Sequence, residues 1–170
     1  MNPRDRRLLS DLRQMEALAG NGAVAFRTEG DPPSLYHVMI TGTGLALDDE
    51  DRLFVREIHR CDAYLHRDYP RRPPVVTWLT PIFHPNILGP DRNGGVCIGS
   101  WSAAEGLADL IVRLRDLVTY HAFNPGDALN SRAANWVVEN HVNVGCDVAA
   151  LAGRSVGETV VELRGRTPVR

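Results

Sequence analysis

The 170-residue chain has no lysine: all 19 basic side chains are arginine. Lysine is ordinarily among the commoner residues, and one reading of its absence is a GC-rich gene, whose codons favour arginine. Disulfide frameworks are also missing. Three cysteines, Cys61, Cys97 and Cys146, are odd in number and far apart, and without a Cys-x-x-Cys pair they suggest neither a disulfide-stapled fold nor a structural zinc site. A reducing compartment fits. Strong net charge is missing too: a balance of −2 gives no electrostatic case for nucleic acid or an anionic membrane as main partner. No apolar run approaches the ~18 residues of a membrane span. The opening "MNPRDRRLLSDLRQ" is charged from the start and has no signal-like hydrophobic stretch, so a cytoplasmic protein is the expectation. Repeats and low-complexity segments are absent as well. What remains is a composition of 44% hydrophobic and 24% charged residues, which suits one globular domain with a real core.

The chain opens on a helix. Asn2 can cap it and Pro3 sits where a missing N–H costs nothing. Leu8, Leu12, Met15 and Ala19 fall at helical spacing, with Arg4, Arg6, Arg7 and Arg13 largely off that stripe, and Gly20 and Gly22 end it. Four β-type runs follow: "AVAFRT" at 23–28, "LYHVMIT" at 35–41, closed by Gly42 and Gly44, "LFVREIHR" at 53–60 and "VVTWL" at 75–79. Turn residues separate them, which predicts an antiparallel meander. Then the period changes. Leu107, Leu110, Ile111, Leu114, Leu117 and Val118 mark a second helix. "SRAANWVVENHVN" reads as a third, with Ser131 or Asn130 as its cap. The tail from Val144 is mixed, and its "ETVVELR" has β character. A helix, a sheet, then helices make an α+β single domain.

Between sheet and second helix lies "FHPNILGPDRNGGVC", residues 83–97. Preceded by "DYPRRPPVVTWLTPI", it resembles the signature of ubiquitin-conjugating enzymes: Tyr-Pro, two residues, Pro-Pro, a strand, His-Pro-Asn, then a cysteine after a small polar turn. Trp101-Ser102 resembles the pair that follows the family's cysteine, and "FNPGDALN" at 123–130 its Asn-Pro-Asp-Asp-Pro-Leu stretch. The resemblance covers about residues 3–140. "TWLTPIFHPNI" and "GGVCIGSW" look most like stand-alone bacterial members, which sit beside an activating enzyme and a ubiquitin-like protein in operons linked to phage defence; that link is analogy. The resemblance implies the ubiquitin-conjugating fold: N-terminal helix, four-stranded meander, cysteine loop and C-terminal helices. Residues 1–143 would form the catalytic domain and 144–170 an extension packed on it.

It also implies an acyl relay. Cys97 would take a ubiquitin-like protein from an activating enzyme as a thioester and pass it to an amine on a target protein, chemistry that suits a thiolate. No cofactor or metal is required, and a monomer is the expected state. Asn86 would donate to the oxyanion or brace the loop, and Asp127 would orient or deprotonate the amine. His84, with Pro85, would belong to the turn rather than act as a base. Arg4, Arg6, Arg7 and Arg13 would form the surface that docks on the activating enzyme, or simply a solvated face. Cys61 and Cys146 read as buried hydrophobes, Trp78, Trp101 and Trp136 as packing residues. Alternatives are an inactive scaffold that binds a ubiquitin-like protein, and a cysteine hydrolase built from Cys97, His84 and Asn86, whose base and orienter would then share one tight turn.

The sequence departs from the family at several points. The loop from Asn86 to Cys97 is longer than usual, and the run from Cys97 to Trp101 shorter. Ile98-Gly99 replaces the usual Leu-Asp, Gly126 replaces an acid, and Arg71 and Ser102-Ala103-Ala104 replace residues that contact RING-type ligases. Recognition by such a ligase is therefore not expected to follow the usual pattern. In this light the missing lysine takes on a second reading: an enzyme carrying an activated acyl group would not modify its own side chains, because arginine stays protonated and is not nucleophilic.

Overall fold

Asn2 accepts a hydrogen bond from the Asp5 N–H at 2.8 Å and opens α1, Pro3–Ala19. The computed structural model describes residues 1–157, and the β-like run at 158–164 lies outside them. α1 buries Leu8, Asp11 and Met15, so its inward stripe contains a carboxylate. The sheet that follows is an antiparallel meander, β1 (Val24–Glu29), β2 (Leu35–Leu47), β3 (Leu53–Tyr64) and β4 (Val75–Trp78), in the order β1-β2-β3-β4. Its register places Val38 opposite Cys61 and Cys61 opposite Trp78, three inward side chains in a row across the sheet.

β2 and β3 run further than their apolar patterns predict. Gly42 and Gly44 do not end β2. They mark a register irregularity between Thr41 and Gly44, after which pairing resumes to Leu47 opposite Leu53. The glycines are there for close approach. A Cβ on Gly44 would stand 2.8 Å from the His59 ring and 2.9 Å from Val118, and one on Gly42 would stand 2.8 Å from Thr119.

That approach belongs to α2, Leu107–Val118, whose six predicted apolar positions are all buried. It packs on α1 and β2, closing a core with Leu8, Met15, Tyr36, Val38, Ile40 and Trp78. Each fully buried leucine or isoleucine contributes about 2 kcal/mol, so α2 is a rigid base for whatever projects from it. α3, Ser131–Glu139, is capped by Asn130, whose Oδ1 accepts from Ala133; of the two candidate caps, Ser131 is the first helical residue. Trp136 and Val137 join Leu45, Leu53, Phe83 and Tyr120 in a second core. Residues 144–157 lie on this second core. Val148, Leu151 and Val156 are buried in it, and the Leu53 N–H donates to the Arg154 carbonyl at 2.9 Å. Cys146 is only half-buried: it borders this core, while Cys61, on β3 and facing the first core, is fully enclosed.

Candidate active site

The His-Pro-Asn turn is built as a brace. The Tyr120 hydroxyl donates to the Phe83 carbonyl at 2.6 Å. His84 is wholly buried, its ring edge-on to Tyr120, and its Nδ1 accepts the Asn86 N–H at 3.0 Å. Burial pushes its pKa down to about 3, so the ring is neutral at any ordinary pH. The Pro85 carbonyl accepts from the N–H groups of Leu129 and Asn130. Asn86 spends its whole amide on the loop opposite: Nδ2 donates to the carbonyls of Asn124 (2.8 Å) and Asp127 (2.9 Å), and Oδ1 accepts from Asn124 N–H (2.8 Å). Of the two roles expected for Asn86, the geometry displays the bracing one.

From Asn86 the chain makes a small hairpin. Ile87 bridges Val96, Leu88 N–H donates to the Gly95 carbonyl, and Cys97 N–H donates to the Asn86 carbonyl at 2.9 Å. The enlarged loop folds back on β4: Trp78 N–H donates to the Gly94 carbonyl at 2.8 Å. Gly94 has φ +62° and presses on the Trp78 backbone so closely that a Cβ would collide with its carbonyl; only glycine serves there. Cys97 is thereby held on a loop, partly exposed. Its Sγ lies 3.5 Å from Asp127 Oδ2. Asp127 sits on a 3-10 turn, Pro125–Asp127, that Asn124 caps with its side chain. A cleft of about 270 Å³ opens between them, lined by Cys97, Ile98, Arg113, Phe123, Asn124 and Asp127.

Neither Cys61 nor Cys146 lines this cleft. Burial first, and nearby Asp62 second, push the Cys61 thiol up to about 12, and burial raises Cys146 as well. Both are held as thiols, the poor nucleophilic form. His84 is hydrogen-bonded within its own turn and is too buried and too acidic to deprotonate Cys97, which removes the base a hydrolase would need. Among the described residues no group of three histidine, cysteine or carboxylate side chains comes together as a metal site. No helix among them is long and apolar enough to cross a membrane.

The arginines of α1 separate into two kinds. Arg6 and Arg13 are exposed. Arg4 donates to the Leu65 carbonyl at 2.8 Å. Arg7, expected off the buried stripe, is instead anchored: it pairs with Asp11, donates to the Tyr69 hydroxyl and the Ala103 carbonyl at 2.9 Å, and reaches the Glu105 carbonyl. Asp11 accepts in addition from the Tyr69 hydroxyl (2.8 Å) and the Leu107 N–H (3.0 Å). Sequence reasoning passed over Asp11. The available signal was a carboxylate placed between Leu8 and Met15 on an apolar stripe, with an arginine four residues before it.

An α+β domain that presents one partly exposed thiol beside a carboxylate, on a loop stitched to a buried His-Pro-Asn turn, defines a cysteine-centred site on a known kind of scaffold. The family model described as ubiquitin-conjugating enzyme matches residues 7–149, and the chain belongs to that family. Among individual proteins it is similar to "Ubiquitin-conjugating enzyme E2 S" of Drosophila persimilis, 26% identical over 140 residues that cover 80% of this chain and 61% of that one. The counterpart in Branchiostoma floridae is 35% identical over 83 residues, 46% of this chain and 37% of that one. The chain thus spans about three-fifths or less of the length of these curated relatives. Among solved structures, S. cerevisiae Ubc12 aligns with TM-score 0.61 at 27% identity, covering 81% of this chain and 72% of that one. The E2 domain of a Toxoplasma gondii ubiquitin conjugating enzyme aligns with TM-score 0.56 at 22% identity, covering 78% and 87%, a likeness of fold.

Proposed function

We propose that the protein accepts a ubiquitin-like protein from an activating enzyme as a thioester on Cys97 and transfers it to an amine of a target protein. The observation that carries this is the placement of Cys97 Sγ in an open cleft, 3.5 Å from Asp127 Oδ2. In loading, the Cys97 thiolate attacks the incoming thioester carbonyl and expels the activating enzyme's thiol. In discharge, the target amine attacks the Cys97 thioester, the C–S bond breaks, and the amide forms. The amine must lose a proton as it reacts, and Asp127 is the group placed to orient it and take that proton. Asn86 sets the height of the Asp127 loop through its carbonyl contacts. It can stabilise the oxyanion, worth roughly 3 kcal/mol where such donors have been tested, by turning one N–H from those carbonyls. His84 and Pro85 are the rigid floor of the site. Arg6 and Arg13 are the solvent-facing charges of an activating-enzyme surface on α1, while Arg4 and Arg7 hold that helix in place.

We further place the protein in a cytoplasmic conjugation system of the bacterial kind, with phage defence as its setting. What supports this is the likeness of "TWLTPIFHPNI" and "GGVCIGSW" to stand-alone bacterial members, an argument by analogy. The test combines the protein with ATP, an activating enzyme and a ubiquitin-like protein. A reductant-sensitive adduct on Cys97, absent in Cys97→Ala, is expected. An adduct that fails to form points to a binding scaffold, and turnover of a peptide or ester by the protein alone points to a hydrolase; either overturns the proposal.

A further inference from the structure

Residues 98–105, which follow the nucleophile, form neither helix nor strand. Gly99 lies at φ +74° with open space around it. Such a segment is intrinsically loose, yet it must hold one side of the cleft. It is held mainly by side chains. The Arg113 guanidinium, projecting from α2, donates one nitrogen to the Ile98 carbonyl at 2.8 Å and the Ser100 carbonyl at 2.9 Å, and the other to the Glu105 carboxylate. Glu105 in turn accepts the Ser102 N–H at 2.9 Å. Arg7 binds the carbonyls of Ala103 and Glu105. Trp101 Nε1–H donates to the Pro70 carbonyl at 2.8 Å. Two arginines therefore supply the backbone bonds that a ladder would supply elsewhere.

We propose that Arg113 is a positioning residue for Cys97: it fixes the backbone just after the nucleophile against α2, and through Glu105 joins it to the Arg7–Asp11 pair of α1. The relay described above uses neither Arg113 nor Glu105, and the inference rests on that relay. Three features support it. Charge-assisted bonds to carbonyls are the stronger kind. The ground at the other end is a helix with six buried apolar anchors, and sites supported from rigid elements are the accurate ones. The planar guanidinium reaches three acceptors at once, which an ammonium on a flexible stem does not reproduce. The arginine also compensates for the unusual sequence here, a short run from Cys97 to Trp101 with a glycine two residues after the nucleophile.

The test uses the full chain and a short peptide thioester of 2-mercaptoethanesulfonate, so that no partner protein is needed. Mass spectrometry follows loading of Cys97, in which the thiolate takes the acyl group and mercaptoethanesulfonate leaves, and its discharge onto free lysine, which forms an amide and returns the thiol. Displacing reacting groups by ~1 Å costs about a hundredfold. Arg113→Ala, which leaves the braces from Arg7 and Trp101 in place, is expected to lower the maximal rates of both steps by about tenfold. The peptide concentration for half-maximal loading should stay unchanged, and added guanidinium ion should restore part of the rate. A merely structural loss would not be rescued by guanidinium. Wild-type rates in Arg113→Ala, or a loss confined to half-saturation, overturn the inference. Should Arg113→Ala fold poorly, Glu105→Gln keeps the shape and loosens the guanidinium; it should cost two- to threefold in maximal rate, and no change there also overturns the inference. If the wild-type chain itself fails to load at Cys97, the proposed relay falls, and this inference with it.

Discussion

Replacing Asp11 should show how much of the architecture hangs on one buried carboxylate. Asp11 is 0% exposed and accepts three hydrogen bonds: Arg7 Nε at 2.9 Å, the Tyr69 hydroxyl at 2.8 Å and the Leu107 N–H at 3.0 Å. These donors come from α1, the loop before β4 and the first residue of α2. In Asp11→Ala the Tyr69 hydroxyl and the Leu107 N–H lose a buried acceptor, at about 1–3 kcal/mol each. Arg7 keeps the carbonyls of Ala103 and Glu105, so its charge is weakened rather than stranded. The sum is about 4 kcal/mol, within the range for breaking a buried pair by removing one member. At about 3 °C per kcal/mol for a chain of this size, the melting temperature should fall by about 12 °C. Asp11→Asn retains Oδ1 for Leu107 but places an NH2 where Oδ2 accepted from Arg7 and the Tyr69 hydroxyl; it should cost about half as much, about 2 kcal/mol. Urea denaturation with unchanged slope measures both. If Asp11→Ala costs under 1 kcal/mol, or if Asn and Ala cost the same, Asp11 is not the junction the contacts describe.

Three further outcomes are expected. Asp127→Asn should slow discharge of the Cys97 thioester onto an amine by about a hundredfold, with a smaller effect on loading; equal effects on both steps would remove Asp127 from the amine's proton transfer. His84 is depressed to about 3 by burial, so between pH 6.5 and 3 the unfolded chain binds the proton and the folded chain does not. Its contribution is therefore complete above pH 6.5 and is lost as pH falls, with a slope of about 1.4 kcal/mol per pH unit for one proton. His59, also lowered by burial, acts in the same sense. His37, raised by its hydrogen bonds to Glu29 and Asp62, acts in the opposite one. Unfolding free energies at several pH values should give a flatter slope in His84→Gln, and an unchanged slope would refute the assignment. Finally, Ser100→Lys places an amine on an exposed position three residues from Cys97. A thioester loaded on that variant should pass to the new lysine, and no self-modification above the parent would leave the missing lysines to codon bias alone.

The parts legible in the sequence were those encoded by local periodicity or by a contiguous motif. α1 and α2 followed from apolar spacing alone. Cys97 stood out because His-Pro-Asn, a glycine-bearing turn and a cysteine follow one another in the chain. The extent of β2 was not legible, because a Gly-Thr-Gly run signals a stop as readily as a place where α2 needs room, and only His59 and Val118 pressing on Gly44 decide between them. Asn86 could be read as a donor to the reaction or as a brace, since its partners Asn124 and Asp127 lie about forty residues away.

The arginines show the limit most clearly. A run of Arg4, Arg6 and Arg7 at a helix start looks like one basic surface, yet Arg7 is drawn inward by a carboxylate one turn on and by carbonyls nearly a hundred residues away. The same physics explains why Arg113 escaped notice. On α2 it falls on the apolar face between Leu110 and Leu117, but nothing in the spacing names its partners, and its importance comes from the loop that the fold brings beneath it. Because the run after Cys97 is short and carries Gly99, it has little means of holding itself. A guanidinium with three acceptors is the compact solution, and it leaves no amine in the cleft where the proposed relay would hold an activated acyl group. On this account the arginine at this position and the absence of lysine throughout answer the same chemical requirement. Arg113→Lys should then both misplace the loop and capture part of the acyl group, whereas Arg113→Gln should only misplace it. Mass spectrometry of the loaded variants separates the two effects, and an Arg113→Lys chain that loads Cys97 yet stays unmodified at the new amine would break the link between them.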